Sequence, residues 1–258
     1  FFAYLAFTAP HWPLHAPDAD IAKYENRYDA GYDALRGERL ERMKKLGLVP
    51  AATTAYRGHP HWPTWERLPA EQKRSEARRM AVYAAMVDHM DRQIGRVLKH
   101  LESSGELDNT VVVFISDNGA DGNSVYDVGR TREWIHKDMD NSTANIGRPG
   151  SFIEYGPGWA QVGSTPLNLY KSFMYEGGIS VPAIFWSPRQ GIAAQQRTQV
   201  GHVMDIAPTI YEMAGARHPG ASHQGRAILP VKGKSLVAYL QGKQASAYGP
   251  NDVIGWEL

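Results

Sequence analysis

Residues 111–122 read VVVFISDNGADG. Five apolar residues, four of them β-branched, run straight into a serine, an acid, an amide and a glycine. A short unbroken run bounded by turn residues predicts a strand buried on both faces, the pattern of parallel sheets. In open α/β sheets, ligands and catalytic groups gather at the carboxyl ends of strands. Asp117 and Asn118 stand there with a carboxylate and an amide oxygen, hard donors suited to Ca²⁺ or Mg²⁺. An Asn-Gly turn after a strand accounts for the same residues without a metal. A calcium ion takes about six to eight oxygens, so most of its shell would come from elsewhere.

Working outward, residues 70–104 carry a pattern at steps of three and four: Met80, Ala84, Val87, Met90 or Asp91, Ile94, Val97 or Leu98, and Leu101. This predicts a helix about 50 Å long, stopped by Gly105. Residues 31–46 predict an exposed helix ended by Gly47. VPAIFW predicts a second short strand, and DIAPTIYEMAG a helix with Asp205 as N-cap and Gly215 as stop. Residues 234–241 predict a last short helix. Residues 1–8 read as a further strand, and the apolar FFAYLAFTAP opening reads as the middle of a longer polypeptide. Residues 119–168 are rich in Gly, Asn, Asp and Pro and read as a long loop, functional or disordered. Its aromatics Tyr126, Trp134, Tyr155 and Trp159 either shape a pocket mouth or pack the loop down. Strands alternating with helices predict an α/β fold with a mostly parallel central sheet.

Composition narrows the function. The 258 residues carry a formal charge of +1 and 43% hydrophobic residues. That supports a sizeable core and gives no charge pattern for nucleic acid or membrane. There is no cysteine, which removes disulfides, thiolate metal sites and cysteine nucleophiles. GKS at 233–235 lacks the earlier P-loop glycine, since position 228 is Ile, and GPGWAQ lacks the third glycine of a dinucleotide fingerprint. DMDNST lacks the glycine and distal Glu of a calcium loop.

Two further residues bear chemistry. His11 lies in the proline-bounded loop TAPHWPLHAP, where its imidazole could bind an anion or protonate a leaving oxygen. Taken alone, it is more simply a loop histidine making one structural hydrogen bond. Lys171, in LYKSFMYEGGISVP, is a compact point charge for a tetrahedral anion, or a solvated surface lysine.

Taken in order, TAPHWP, SDNG, LYKSFMYEGGISVPA and MDIAPTIYEMAG resemble the bacterial arylsulfatases of the formylglycine-dependent sulfatase family. RYDAGYDALRGERL, VYAAMVDHMDRQIGRV and SGELDNTVVVFISDNGA are similar to them too, so the likeness covers nearly the whole chain. The resemblance implies an alkaline-phosphatase-like α/β/α sandwich, incomplete in this chain, that hydrolyses small-molecule sulfate esters. It implies Asp117 and Asn118 as calcium ligands, and His11 and Lys171 as sulfate contacts, either of which could protonate the departing oxygen. The family's nucleophile is a formylglycine made from a C/S-x-P-x-R motif. No such motif occurs here, and SPRQ at 187–190 has the wrong spacing. Residues 1–258 therefore read as the middle and C-terminal part of a catalytic domain, without the N-terminal part or the small C-terminal subdomain, and inactive alone. A phosphonate or phosphate ester hydrolase of the same superfamily, and a non-catalytic anion- or calcium-binding fragment, are the competing readings. Oligomeric state and localisation, in bacterial cytoplasm or periplasm, stay open.

Overall fold

The computed structural model describes residues 1–124 and 129–256, in two compact units. The first comprises residues 1–100 and 118–181, the second residues 101–117 and 182–256.

The first unit is built on helices. After the short α1 (Asp18–Ile21) come α2 (Gly31–Lys45) and the long α3 (Ala70–Ser103). They are followed by α4 (Gly129–Asp138), α5 (Gly156–Gly163) and the one-turn α6 (Glu176–Ile179). The buried stripe of α3 is Ala77, Ala81, Val82, Ala85 and Met86. It is rotated from the predicted one: Met80 and Ala84 flank the core, while Val87 and Val97 are exposed. Small alanines let bulky rings approach the helix closely, so the ring positions rather than side-chain size choose the stripe. Trp159 of α5 is fully buried and meets Tyr28, Tyr32 and Trp65 edge-on, with centroids 5.7, 5.7 and 5.9 Å away. Its Nε1 donates to the Glu76 carbonyl of α3 at 3.0 Å. Tyr83 of α3 stacks on Tyr155 at 4.6 Å. On α1, the buried Asp20 is held well below the usual carboxylate range by hydrogen bonds from Arg92 and His89 of α3, against the upward push of burial.

Residues 119–168 are therefore not one long loop. They hold two helices, and Ile146, Ile153 and Trp159 are core. Tyr155 and Trp159 pack the segment down, Trp134 stays exposed against Phe152, and Tyr126 lies outside the described residues. The apolar pattern of residues 1–8 forms no strand; these side chains are exposed or nearly so. A strand needs a neighbouring ladder, and no described strand pairs with this segment.

In the second unit β1 (Val112–Ile115) pairs with β2 (Ala183–Trp186), Val113 opposite Phe185. The pairing is antiparallel, and Phe114, Ile115, Ile184 and Trp186 are exposed. An apolar run records what a strand is made to be covered by, and it does not fix the direction of each neighbour. Helix α7 (Ile206–Met213) follows a 3₁₀ turn at Val203–Asp205, and Gly215 ends it at φ +63. Asp205 is fully buried. Instead of capping α7 with its side chain, it accepts from the His202 and Lys234 backbone N–H groups at 2.7 and 2.8 Å and from the Tyr248 hydroxyl at 2.6 Å. Thr209 Oγ1 accepts from Leu236 N at 2.9 Å, just before α8 (Val237–Leu240). Between them, β3 (Ser222–His223) and β4 (Arg226–Ala227) form a tight hairpin whose turn residues, Gln224 and Gly225, both have positive φ. Among the described residues no helix is long and apolar enough to cross a membrane.

Candidate active site

Three segments of the first unit meet at one place. The first is the loop carrying His11, pinned three residues later where buried Leu14 donates its N–H to the Ile153 carbonyl at 3.0 Å. The second, residues 118–123, and the third, residues 168–178, are stitched backbone to backbone. Gly119 N donates to Gly178 O at 2.8 Å, and Lys171 N to Ala120 O at 2.8 Å. Glycine is required by the close approach. A Cβ on Gly177 would lie 2.0 Å from the Leu169 carbonyl oxygen, and one on Gly119 would lie 1.9 Å from that of Gly177. Gly177→Ala must therefore push backbone from backbone. It is expected to destabilise by about 1–3 kcal/mol, in the range of overpacking changes, and to move Lys171; thermal melting beside steady-state kinetics of the full-length variant checks both.

The stitching brings Lys171 Nζ to 3.4 Å from His11 Nε2. Both face a carboxylate absent from the sequence-derived set, that of Asp121. Its Oδ2 lies 3.2 Å from Lys171 Nζ and 3.6 Å from His11 Nε2, and accepts from Trp12 Nε1 at 3.1 Å. Its Oδ1 accepts from the Asn123 backbone N–H and side-chain Nδ2 at 3.1 and 2.8 Å. The Asn123 amide also donates to Ser172 Oγ at 3.0 Å. Burial pushes the Asp121 carboxyl up, but the Asn123 N–H groups and the Lys171 ammonium outweigh it and hold the group below its usual range. Asp121 is thus an anion at neutral pH.

His11 Nδ1 lies 2.7 Å from the Trp12 carbonyl oxygen. A carbonyl only accepts, so Nδ1 carries a hydrogen and Nε2 is the nitrogen that exchanges its proton. Trp62 stacks on Tyr170 with centroids 5.0 Å apart, fixing the residue before Lys171. Burial, with the Asp121 charge, pushes the Tyr170 phenol up to about 12, so it stays neutral. The side chains of His11 and Lys171 are 45% and 30% exposed and that of Asp121 12%. Lys171 and His11 are thus open to a ligand and the Asp121 carboxylate lies behind them.

Of the four sequence-derived residues, His11 and Lys171 are brought together. Asp117 is exposed and closes the 101–117 segment of the second unit. Asn118 opens the next segment of the first, half-buried, with Nδ2 donating to the Gly119 carbonyl at 2.7 Å. Carboxylate and amide oxygen are the donor chemistry a hard cation takes. Among the described residues no three His, Asp or Glu side chains cluster as a metal site. Asp121 and Trp12 escape a sequence reading because Lys171, Trp12 and His11 lie 50, 109 and 110 positions from Asp121; the local signals are that Asp121 continues the SDNG turn and that Asn123, two residues on, donates to it.

Comparison with known proteins agrees with the motif order. The Sulfatase family model matches residues 1–216. An uncharacterised sulfatase of Schizosaccharomyces pombe is 44% identical over 265 residues, covering 100% of this chain and 47% of the relative. The arylsulfatase of Klebsiella aerogenes is 39% identical over 251 residues, 95% of this chain and 52% of that protein. The solved structure of Ps i-CgsB aligns with a TM-score of 0.49 at 21% identity, over 93% of this chain and 33% of that one. The chain spans about half the length of the curated relatives it matches.

Proposed function

The chain belongs to the sulfatase family, and from that membership we propose that the protein containing it hydrolyses small-molecule sulfate esters, aryl sulfates among them. The observation in this chain that supports the reading is the convergence of Lys171 Nζ and His11 Nε2, 3.4 Å apart, on one accessible spot. The net reaction breaks the ester bond to sulfate and adds water: R–O–SO₃⁻ and H₂O give ROH, SO₄²⁻ and a proton.

Each residue has a separate task. The Lys171 ammonium binds a sulfate oxygen and offsets its charge. His11 Nε2, protonated, gives its proton to the departing oxygen, while Nδ1–H on the Trp12 carbonyl keeps the ring turned that way. Asp117 and Asn118 would hold a calcium ion, with Mg²⁺ the alternative; when bound, it supplies Lewis-acid charge and orientation at the sulfate. The nucleophile is a formylglycine from a segment outside these 258 residues, which contain no cysteine and no Ser-x-Pro-x-Arg. By this reading the 258 residues alone are inactive.

The test is turnover by the full-length protein of an aryl sulfate and of the matching aryl phosphonate, before and after chelation. Sulfate is expected to be the better substrate. Chelation is expected to reduce sulfate turnover by at least about tenfold, with calcium restoring it. Faster phosphonate turnover would reassign the reaction, and turnover indifferent to chelator would remove the metal.

A further inference from the structure

We propose that Asp121 is a positioning residue: clamped by Trp12 and Asn123, it holds the Lys171 ammonium and the His11 imidazole side by side and keeps the imidazole able to carry the proton it delivers. The inference rests on the sulfatase reading of the same site.

The geometry carries it in three steps. First, Asp121 is itself fixed. Its Oδ1 takes both Asn123 donors and its Oδ2 takes the Trp12 indole, so both oxygens are occupied before a cation arrives. It is therefore a rigid anion rather than a ligand looking for a partner. Second, its Oδ2 is shared by the two functional nitrogens, 3.2 Å from Lys171 Nζ and 3.6 Å from His11 Nε2. Third, those nitrogens oppose one another. An ammonium has only hydrogens to offer, so the 3.4 Å contact from Lys171 Nζ to His11 Nε2 requires the lone pair of a neutral ring. Once Nε2 gains a proton, that contact becomes a repulsion, and Asp121 Oδ2 is the acceptor within reach of the new N–H.

Among the described residues, the charged and titratable groups that interact with Asp121 include Lys171, His11 and the buried phenols of Tyr155 and Tyr170, both pushed up by burial and kept neutral. The ammonium disfavours the imidazolium and the carboxylate favours it. Removing the carboxylate leaves the ammonium unopposed, so the ring loses its proton at lower pH. An acid that must deliver a proton is then depleted on the alkaline side.

Asp121→Asn in the full-length protein tests this, with phenyl sulfate as substrate because its poor leaving group needs the proton. The alkaline limb of the kcat profile is expected to move to lower pH by about one unit, the low end for a charge at this distance. Below the limb, KM is expected to stay within about twofold of the parent, and Asp121→Glu is expected to recover part of the shift. A uniform loss of kcat with the limb in place would mark Asp121 as structural only and overturn the proposal. If Asp121→Asn does not fold, Asn123→Ala, which loosens the clamp, is expected to shift the limb in the same direction by less; an unmoved limb there overturns it equally. If the parent does not turn over sulfate esters, the sulfatase reading fails separately. The His11 ring signals, followed by NMR in the same full-length proteins, then decide: titration at lower pH in the variant supports the positioning role, and identical titrations refute it.

Discussion

Replacing Lys171 with Ala in the full-length protein is expected to lower kcat/KM for an aryl sulfate by about 10²–10³-fold, the loss seen when a single preorganised charge-stabilising donor is removed. Two effects add. The ammonium that offsets the sulfate charge disappears. The Asp121 carboxylate it partnered, only 12% exposed, then presents an unscreened negative charge to an anionic substrate. Lys171→Arg is expected to recover little. A guanidinium is planar and forked, and the space beside His11 Nε2 and Asp121 Oδ2 is set by a 3.2 Å and a 3.4 Å contact to one atom. Steady-state kinetics on parent and both variants, with melting temperatures as a control on folding, provide the measurement. A loss below about tenfold in the alanine variant would take Lys171 out of the substrate's reach.

The second large effect concerns stability. Trp159→Ala is expected to cost about 3–5 kcal/mol, the usual range for deleting a fully buried aromatic. Trp159 is the hub of the first unit's core. Three other rings meet it edge-on within 6 Å, and its indole N–H is bound to the Glu76 carbonyl inside α3. Truncation opens a cavity between α2, α3 and α5 and leaves that carbonyl without its indole donor. At about 2–4 °C per kcal/mol for a domain of this size, the melting temperature should fall by roughly 10 °C. Trp159→Phe separates the contributions. It keeps most of the ring volume, loses the N–H, and should cost about 0.5–1.5 kcal/mol for the hydrogen bond, because the Glu76 carbonyl keeps its place in the α3 ladder. Calorimetry on the full-length proteins would measure both.

How much of this was legible in the sequence depends on how local each determinant is. Helix α3 was readable to within one residue, because its end is set by a glycine two positions beyond. Strand β1 was readable because a β-branched run bounded by turns has few other uses. The apolar run at 1–8 misleads for the same reason: propensity is local, and a ladder partner is not. Trp159 stayed open between pocket and packing because GPGWAQ is too short to show helical periodicity. Its burial depends on Tyr28, Tyr32 and Trp65, about a hundred residues away or more. His11 and Lys171 were found through motif order rather than chemistry, and Asp121, which stands against both, was not found at all. A carboxylate in a glycine-rich turn looks like turn chemistry until the fold brings a lysine from fifty positions downstream.

Asp205 and Thr209 have a consequence for how the family can vary. Together they fasten residues 234–236 to the start of α7. The intervening excursion, from the end of α7 through the β3–β4 hairpin, therefore leaves and returns at clamped points. Lengthening such an arch costs only about 0.6 kcal/mol per doubling of its length, and its Gln224–Gly225 apex is exposed. Evolution can extend this arm, or a protein engineer can graft a peptide onto it, without disturbing the knot that anchors it.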